Sequence, residues 1–163
     1  MKKLVYLFLF LTIVSCSVTK NTKTIHPFSG DAIGCGNFIA YKLTDDNSEY
    51  VSVKVDVPTI ELQKKQMYGV GIADAITIVR KKYDGPINAA LCNDLIPSTF
   101  PKELVNETAT EGLLELILSE SEIEKAKNKE PYKATLILKN VVFETVTIDY
   151  LRLEDISVGW LPG

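Results

Sequence analysis

Tyr50-Val51-Ser52-Val53-Lys54-Val55-Asp56-Val57 decides the fold. Four valines alternate with Ser52, Lys54 and Asp56. A period of two puts the valines on one face and the polar side chains on the other, as in a strand with one buried and one wet face. Pro58 ends the run, because proline has no N–H to give to a ladder. Upstream, Gly36 to Leu43 shows a second alternation. Phe38 and Ala40 take one face; Ile39, Tyr41 and Leu43 take the other. Asp45-Asp46-Asn47-Ser48 between the two runs is turn chemistry, and it predicts a β-hairpin.

The same period recurs along the chain. Ala75 to Tyr83 alternates Ala75, Thr77 and Val79 against Ile76 and Ile78, and stops at the turn signal Asp84-Gly85-Pro86. Gly112, Leu114, Leu116 and Leu118 share a face. Tyr132, Ala134, Leu136 and Leu138 oppose Thr135, Ile137 and Lys139. Val141 to Glu144 and Thr147 to Leu153 make a last strand region, with Ile148 and Tyr150 in it and Ile156 and Val158 following. Ile60 to Asp74 follows no clean period and predicts a short strand and a loop, since Gly69 and Gly71 oppose a helix. Asn93 to Asn106, with Pro97 and Pro101, reads as a long connection. Ser119 to Pro131 is rich in Glu and Lys, and Ser121 with Glu124 forms a capping-box pattern. A short helix or a charged hairpin loop fits there; a mixed charge run is usually a solvated face.

Seven or eight short strands with turn signals predict an all-β, antiparallel β-sandwich, with a β-barrel as the alternative. Any likeness to immunoglobulin domains is architectural, because Trp160 follows both Cys35 and Cys92 instead of lying between them. The 46% hydrophobic and 24% charged residues exclude a disordered chain. A net charge of -3 gives no electrostatic reason to expect nucleic acid.

The N-terminus carries an address. Met1-Lys2-Lys3 is positive, and Leu4 to Val14 holds only Thr12 as a polar side chain among aliphatic and aromatic ones. As a helix that run is about 16 Å long, against a bilayer core of roughly 30 Å. It has the size of a signal-peptide core, not of a membrane span. Ile13-Val14-Ser15-Cys16 follows and resembles the lipobox of bacterial lipoproteins. The resemblance covers residues 1 to 17. It implies that residues 1–15 are cleaved and that Cys16 carries a thioether-linked diacylglycerol and an acylated amino group. Two or more chains, at ~0.8 kcal/mol per buried methylene, hold firmly where one does not. Ser17 stands where an Asp would resemble an inner-membrane retention signal, which implies the outer membrane. Ser17 to Asn21 has no acidic run resembling a surface-export tag, which implies a periplasm-facing anchor.

In that oxidising compartment Cys35 and Cys92 remain as an even pair and are expected to form a disulfide, on the order of 4 kcal/mol in the chain-entropy model. Residues 16–33 are expected to be a lipidated tether and residues 34–163 a single β-rich domain. A redox or nucleophilic cysteine would need a cationic neighbour, and nothing ties the single His, His26, to either thiol. One His also leaves no Ser-His-Asp triad and no histidine metal set. Gly34-Cys35-Gly36 lacks the third glycine of a phosphate loop. Asp45 to Glu49 offers oxygens that calcium accepts, without EF-hand spacing; turn chemistry explains it without an ion. Asn93-Asp94 is read as an Asx turn. Asn106-Glu107-Thr108 matches a glycosylation sequon that means little in a bacterial chain. No catalytic residues, metal or cofactor are therefore expected. The functional expectation is a non-catalytic binding or structural module on a lipid anchor, meeting the membrane and an envelope protein or glycan. A small envelope hydrolase or inhibitor-like domain is the alternative.

Overall fold

The valines of 51, 53 and 55 do lie on one buried face of a strand, and two sheets close over them. The computed structural model describes residues 23–24, 28–59, 61–70, 75–87, 91–92 and 100–159. One sheet holds five strands in the order β1 (Lys23–Thr24), β10 (Val146–Val158), β9 (Tyr132–Val142), β8 (Glu111–Ile117) and β5 (Lys65–Gly69). The other runs β2 (Ala32–Cys35), β3 (Ile39–Leu43), β4 (Glu49–Val55), β6 (Ile76–Tyr83) and β7 (Glu103–Thr108). Every pairing is antiparallel except β1 on β10. The architecture is an all-β sandwich with no closed barrel.

The core forms where the inner faces meet. Ala40, Val51, Val53, Ile76 and Ile78 from one sheet pack with Leu114, Leu116, Leu136, Leu138, Ile148 and Leu153 from the other. Each of these valine, leucine and isoleucine side chains contributes roughly 1.5–3 kcal/mol on leaving water. The expected hairpin is present as β3 and β4, with Leu43 opposite Tyr50. Phe38 lies in the turn before β3, not in the strand, and is still only 1% exposed.

Three strand boundaries differ from the sequence reading, each for a local reason. Part of the stretch 16–33 belongs to the sandwich. Phe28 is buried in the core, and Ala32 to Cys35 form β2. Gly34 makes β2 fit: a Cβ there would lie 2.2 Å from the Ser157 carbonyl oxygen, so only glycine lets β2 press on β10. The connection read over 93–106 gives way to strand at Glu103. β7 is an edge strand that turns Leu104 outward, so its apolar pattern is weak. The last region divides at a turn: Val141 and Val142 end β9, and β10 runs 13 residues on from Val146 through Ile156 and Val158, bulged between Leu153 and Ile156 with Asp155 at φ 50°. The bulge breaks the alternation there.

Residues 119–131 hold a helix, α1 (Glu120–Lys127), which packs Ile123 and Ala126 onto the core. Its cap is Ser119, whose hydroxyl accepts from the Glu122 N–H at 3.3 Å; Ser121 is inside the helix. The Ser-x-x-Glu spacing occurs at both 119/122 and 121/124, and the earlier pair wins because β8 ends at Ile117. Glu122 does not complete the box. Its carboxylate accepts from the Lys133 N–H at 2.6 Å, fastening α1 to β9.

Candidate functional site

Both sheets have an outer face, and the two faces are finished differently. On the sheet containing β4, the outward side chains are Ile33, Tyr41, Leu43, Tyr50 and Tyr83. Of the described residues after β6, Ile87, Leu91 and Phe100 pack against them and complete a second apolar cluster. Tyr41 meets Tyr50 edge-on at 5.3 Å, Tyr50 stacks on Tyr83 at 6.1 Å, and Phe100 meets Tyr83 edge-on at 5.2 Å. Such pairs contribute about 0.5–1.5 kcal/mol beyond their burial. The Cys35–Cys92 disulfide joins β2 to this covering segment. It staples the cover onto the face, which gives the pair expected from cysteine arithmetic a structural role. Ile87 N–H donates to the Asn47 carbonyl at 2.8 Å, and the Asp84 carboxylate accepts from the Lys102 N–H at 2.9 Å, closing the base of the cover. Burial, then the hydrogen bond with Tyr83, pushes the Tyr50 phenol far up; burial raises Tyr41 as well.

The other outer face is open. β5, β8, β9 and β10 present Met67, Leu113, Ile137 and Tyr150 there, interleaved with charges. Met67, Leu113 and Tyr150 are 53%, 38% and 52% exposed; of the described residues only Leu104, on β7, joins them as an exposed large hydrophobic. Glu115 sits among them, its carboxylate bridged by Lys65 at 2.7 Å and Lys139 at 2.6 Å. The ammonium of Lys139, then that of Lys65, holds Glu115 below the usual carboxylate range. Arg152 pairs with Glu154 at 2.5 Å on the same sheet.

Between the sheets lies a buried polar seam. Arg80 shares the inner face of β6 with Ile76 and Ile78. Its Nε donates to Glu49 Oε1 at 2.5 Å; its Nη1 donates to Glu107 Oε2 at 2.8 Å and to Thr145 Oγ1 at 3.1 Å. Glu107 Oε1 also accepts from the Thr145 N–H at 3.0 Å. All three charged side chains are buried. These bonds join strands β4, β6 and β7 to the turn before β10. It is a clamp between sheets, since removing one member of such a set costs about 3–5 kcal/mol. The sequence carried its signal: the period that buries Ile76 and Ile78 also buries Arg80.

At the far end, a groove of about 470 Å³ lies beside α1, lined by Asn37, Val57, Pro58, Ala126 and Tyr132 among others. The Tyr132 ring covers Gly159, where a Cβ would come within 2.7 Å of it. Burial pushes the Tyr132 phenol up to about 12. Its hydroxyl is buried without a hydrogen-bond partner, as is that of Tyr68 on β5.

The residues singled out by sequence fall as follows. Asp46 organises its turn: Thr44 Oγ1 donates to Oδ1 at 2.6 Å, the Ser48 N–H donates to Oδ1 at 3.0 Å and Ser48 Oγ to Oδ2 at 2.9 Å. The Thr44 bond, then those of Ser48, lower its pKa to about 2. Asn106 is on β7 and donates to Glu103. Cys16, His26, Asn93, Asp94 and Trp160 lie outside the described residues. Among the described residues no three His, Cys, Asp or Glu side chains are placed to hold a metal ion. Comparison of the chain with protein-family models, curated proteins and solved structures gave no match.

Proposed function

We propose that this chain is a lipid-anchored envelope lipoprotein whose β-sandwich is a non-catalytic binding module. Cys16 carries the lipid, and the anchor sits in the outer membrane facing the periplasm. The face formed by β5, β8, β9 and β10 meets an envelope protein. One observation carries the reading of that face: Met67, Leu113 and Tyr150 remain in water on one sheet, while the equivalent face of the other sheet is roofed and stapled. Exposed apolar side chains grouped on one face, rimmed by charges, mark interaction surfaces. Lys65, Lys139, Arg152 and Glu154 supply such a rim, and Tyr and Met are residue types that interfaces favour.

The alternative, a small hydrolase or inhibitor-like domain, calls for polar side chains converging in a pocket. The groove beside α1 is walled mainly by apolar groups, and the buried carboxylates of Glu49 and Glu107 are spent on Arg80. The test has two arms. Metabolic labelling with an alkyne fatty acid should tag the wild type and leave Cys16→Ala untagged; label on that variant would refute the anchor. A photo-crosslinking residue at position 150 should trap a discrete envelope protein, while one at position 41 should not. Equal trapping at both positions would refute the choice of face.

A further inference from the structure

Resting on the reading that Cys16 is lipidated, we propose that the sandwich stands upright on the membrane. The turn between β9 and β10 faces the lipid, and the groove beside α1 points away from it. The geometry that fixes this is where the chain enters the fold. Lys23 and Thr24 pair with Val146 and Thr147, the first residues of β10. Gly30 N–H then bonds the Leu43 carbonyl at 3.1 Å, beside the β3–β4 turn. The Arg80 bond to Thr145 ties that β9–β10 turn to Glu49 at the start of β4, so both turns belong to one end. Seven residue steps separate Cys16 from Lys23, and an extended chain covers at most ~25 Å in that distance. This end is therefore held within about one tether length of the headgroups.

The opposite end is set by β10 itself. The strand runs 13 residues from Val146 to Val158, roughly 35–40 Å at ~3.3 Å per residue. Gly159 follows and donates to the Gly36 carbonyl at 2.8 Å, and the groove opens there. The tether cannot bring that end to the surface unless the domain lies flat or inverts. The tether keeps the entry end near the surface, and charge sets how closely it approaches. Asp31, Asp45, Asp46, Asp84 and Glu144 are exposed there. Three lysines of that end are engaged, Lys42 by the Gly30 carbonyl, Lys81 by Glu103 and Lys82 by Glu49. Anionic headgroups repel such an end over a Debye length of about 8 Å. The open face, by contrast, has its lysines 65 and 139 neutralised in part by Glu115 and does not present a basic patch to lie on. Standing upright, the molecule turns both that face and the groove toward the periplasmic space.

The experiment uses the full lipidated chain reconstituted in vesicles of phosphatidylethanolamine and phosphatidylglycerol that carry a headgroup-linked energy acceptor. Single fluorophores go on Glu144→Cys and Thr110→Cys near the entry end, and on Ser121→Cys and Lys127→Cys on α1; all four positions are exposed. Two sites per end keep the comparison alive if one variant misfolds. Transfer from 144 and 110 should exceed that from 121 and 127 several-fold. Protein that floats with the vesicles and shows equal transfer from both ends lies flat, and the proposal is overturned while the anchor stands. Stronger transfer from α1 overturns it equally. Protein whose mass shows no lipid on Cys16, and which does not float, overturns the anchor and with it the orientation.

Discussion

The two outer faces of this sandwich start from similar material and end in opposite states. Each sheet turns tyrosine and aliphatic side chains away from the core. On the β3–β4–β6 face, Tyr41, Tyr50 and Tyr83 are roofed by Ile87, Leu91 and Phe100 and fixed by the Cys35–Cys92 bond. On the β5–β8–β9–β10 face, Met67, Leu113 and Tyr150 are left among ion pairs. A fold of this size must bury apolar surface where it can. Spending a covalent staple on one face while leaving the other bare separates stability from availability: the first face holds the molecule together and the second is free to meet something else.

That contrast can be broken from its strongest side first. Cys35→Ser should cost on the order of 4 kcal/mol by loss of the cross-link; urea denaturation that shows no drop in midpoint would contradict the staple's role. Tyr50→Ala removes the ring at the centre of the covered cluster and should cost about 3 kcal/mol. Met67→Ala and Tyr150→Ala, which delete side chains of comparable chemistry on the open face, should each change stability by no more than ~0.5 kcal/mol. If thermal melts find the two sets equal, the faces are not energetically distinct.

The faces should also fail at opposite ends of the pH scale. The phenols of Tyr50 and Tyr41 are raised in the folded state by burial, so their contribution is whole below the ordinary tyrosine pKa, near 10. It is lost as pH climbs above that value. Glu115 is lowered by Lys139 and Lys65, so its contribution is whole above the ordinary glutamate pKa, near 4.3, and fades as pH falls below it. Tyr50→Phe should therefore flatten the alkaline limb of a stability profile and leave the acid limb alone. Glu115→Gln should do the reverse, and by the smallest margin of the set, because its partners Lys65 and Lys139 reach it from the solvent side, where charge is partly screened.

Legibility followed periodicity. β4, β6, β8 and β9 each alternate core-facing aliphatic residues with other types in sequence, so Val51 to Val55 or Leu114 to Leu118 announce themselves, and the two-sheet class follows. β2 and β7 did not, because edge strands need no such alternation: Ala32 to Cys35 is half-buried on both sides, and β7 buries Glu107 while exposing Leu104. The cysteine pair was readable from the count alone. The partition of the outer faces was not, since Tyr41 and Tyr150 look alike in sequence and differ only in what long-range contacts place above them. Arg80 was readable in principle, as a cation at a core-facing position of β6. Its partners Glu49 and Glu107 come from strands whose order the sequence does not print.

The open face is the centre of the account, and side-chain oxidation by hydroxyl radicals tests it most directly. Met67 and Tyr150 should react fast in the purified protein, with Tyr50 and Tyr83 slow. In intact envelopes Met67 and Tyr150 should become protected as a partner covers them. Rates at Met67 and Tyr150 that are the same in envelopes as in the purified protein would contradict a binding role for that face.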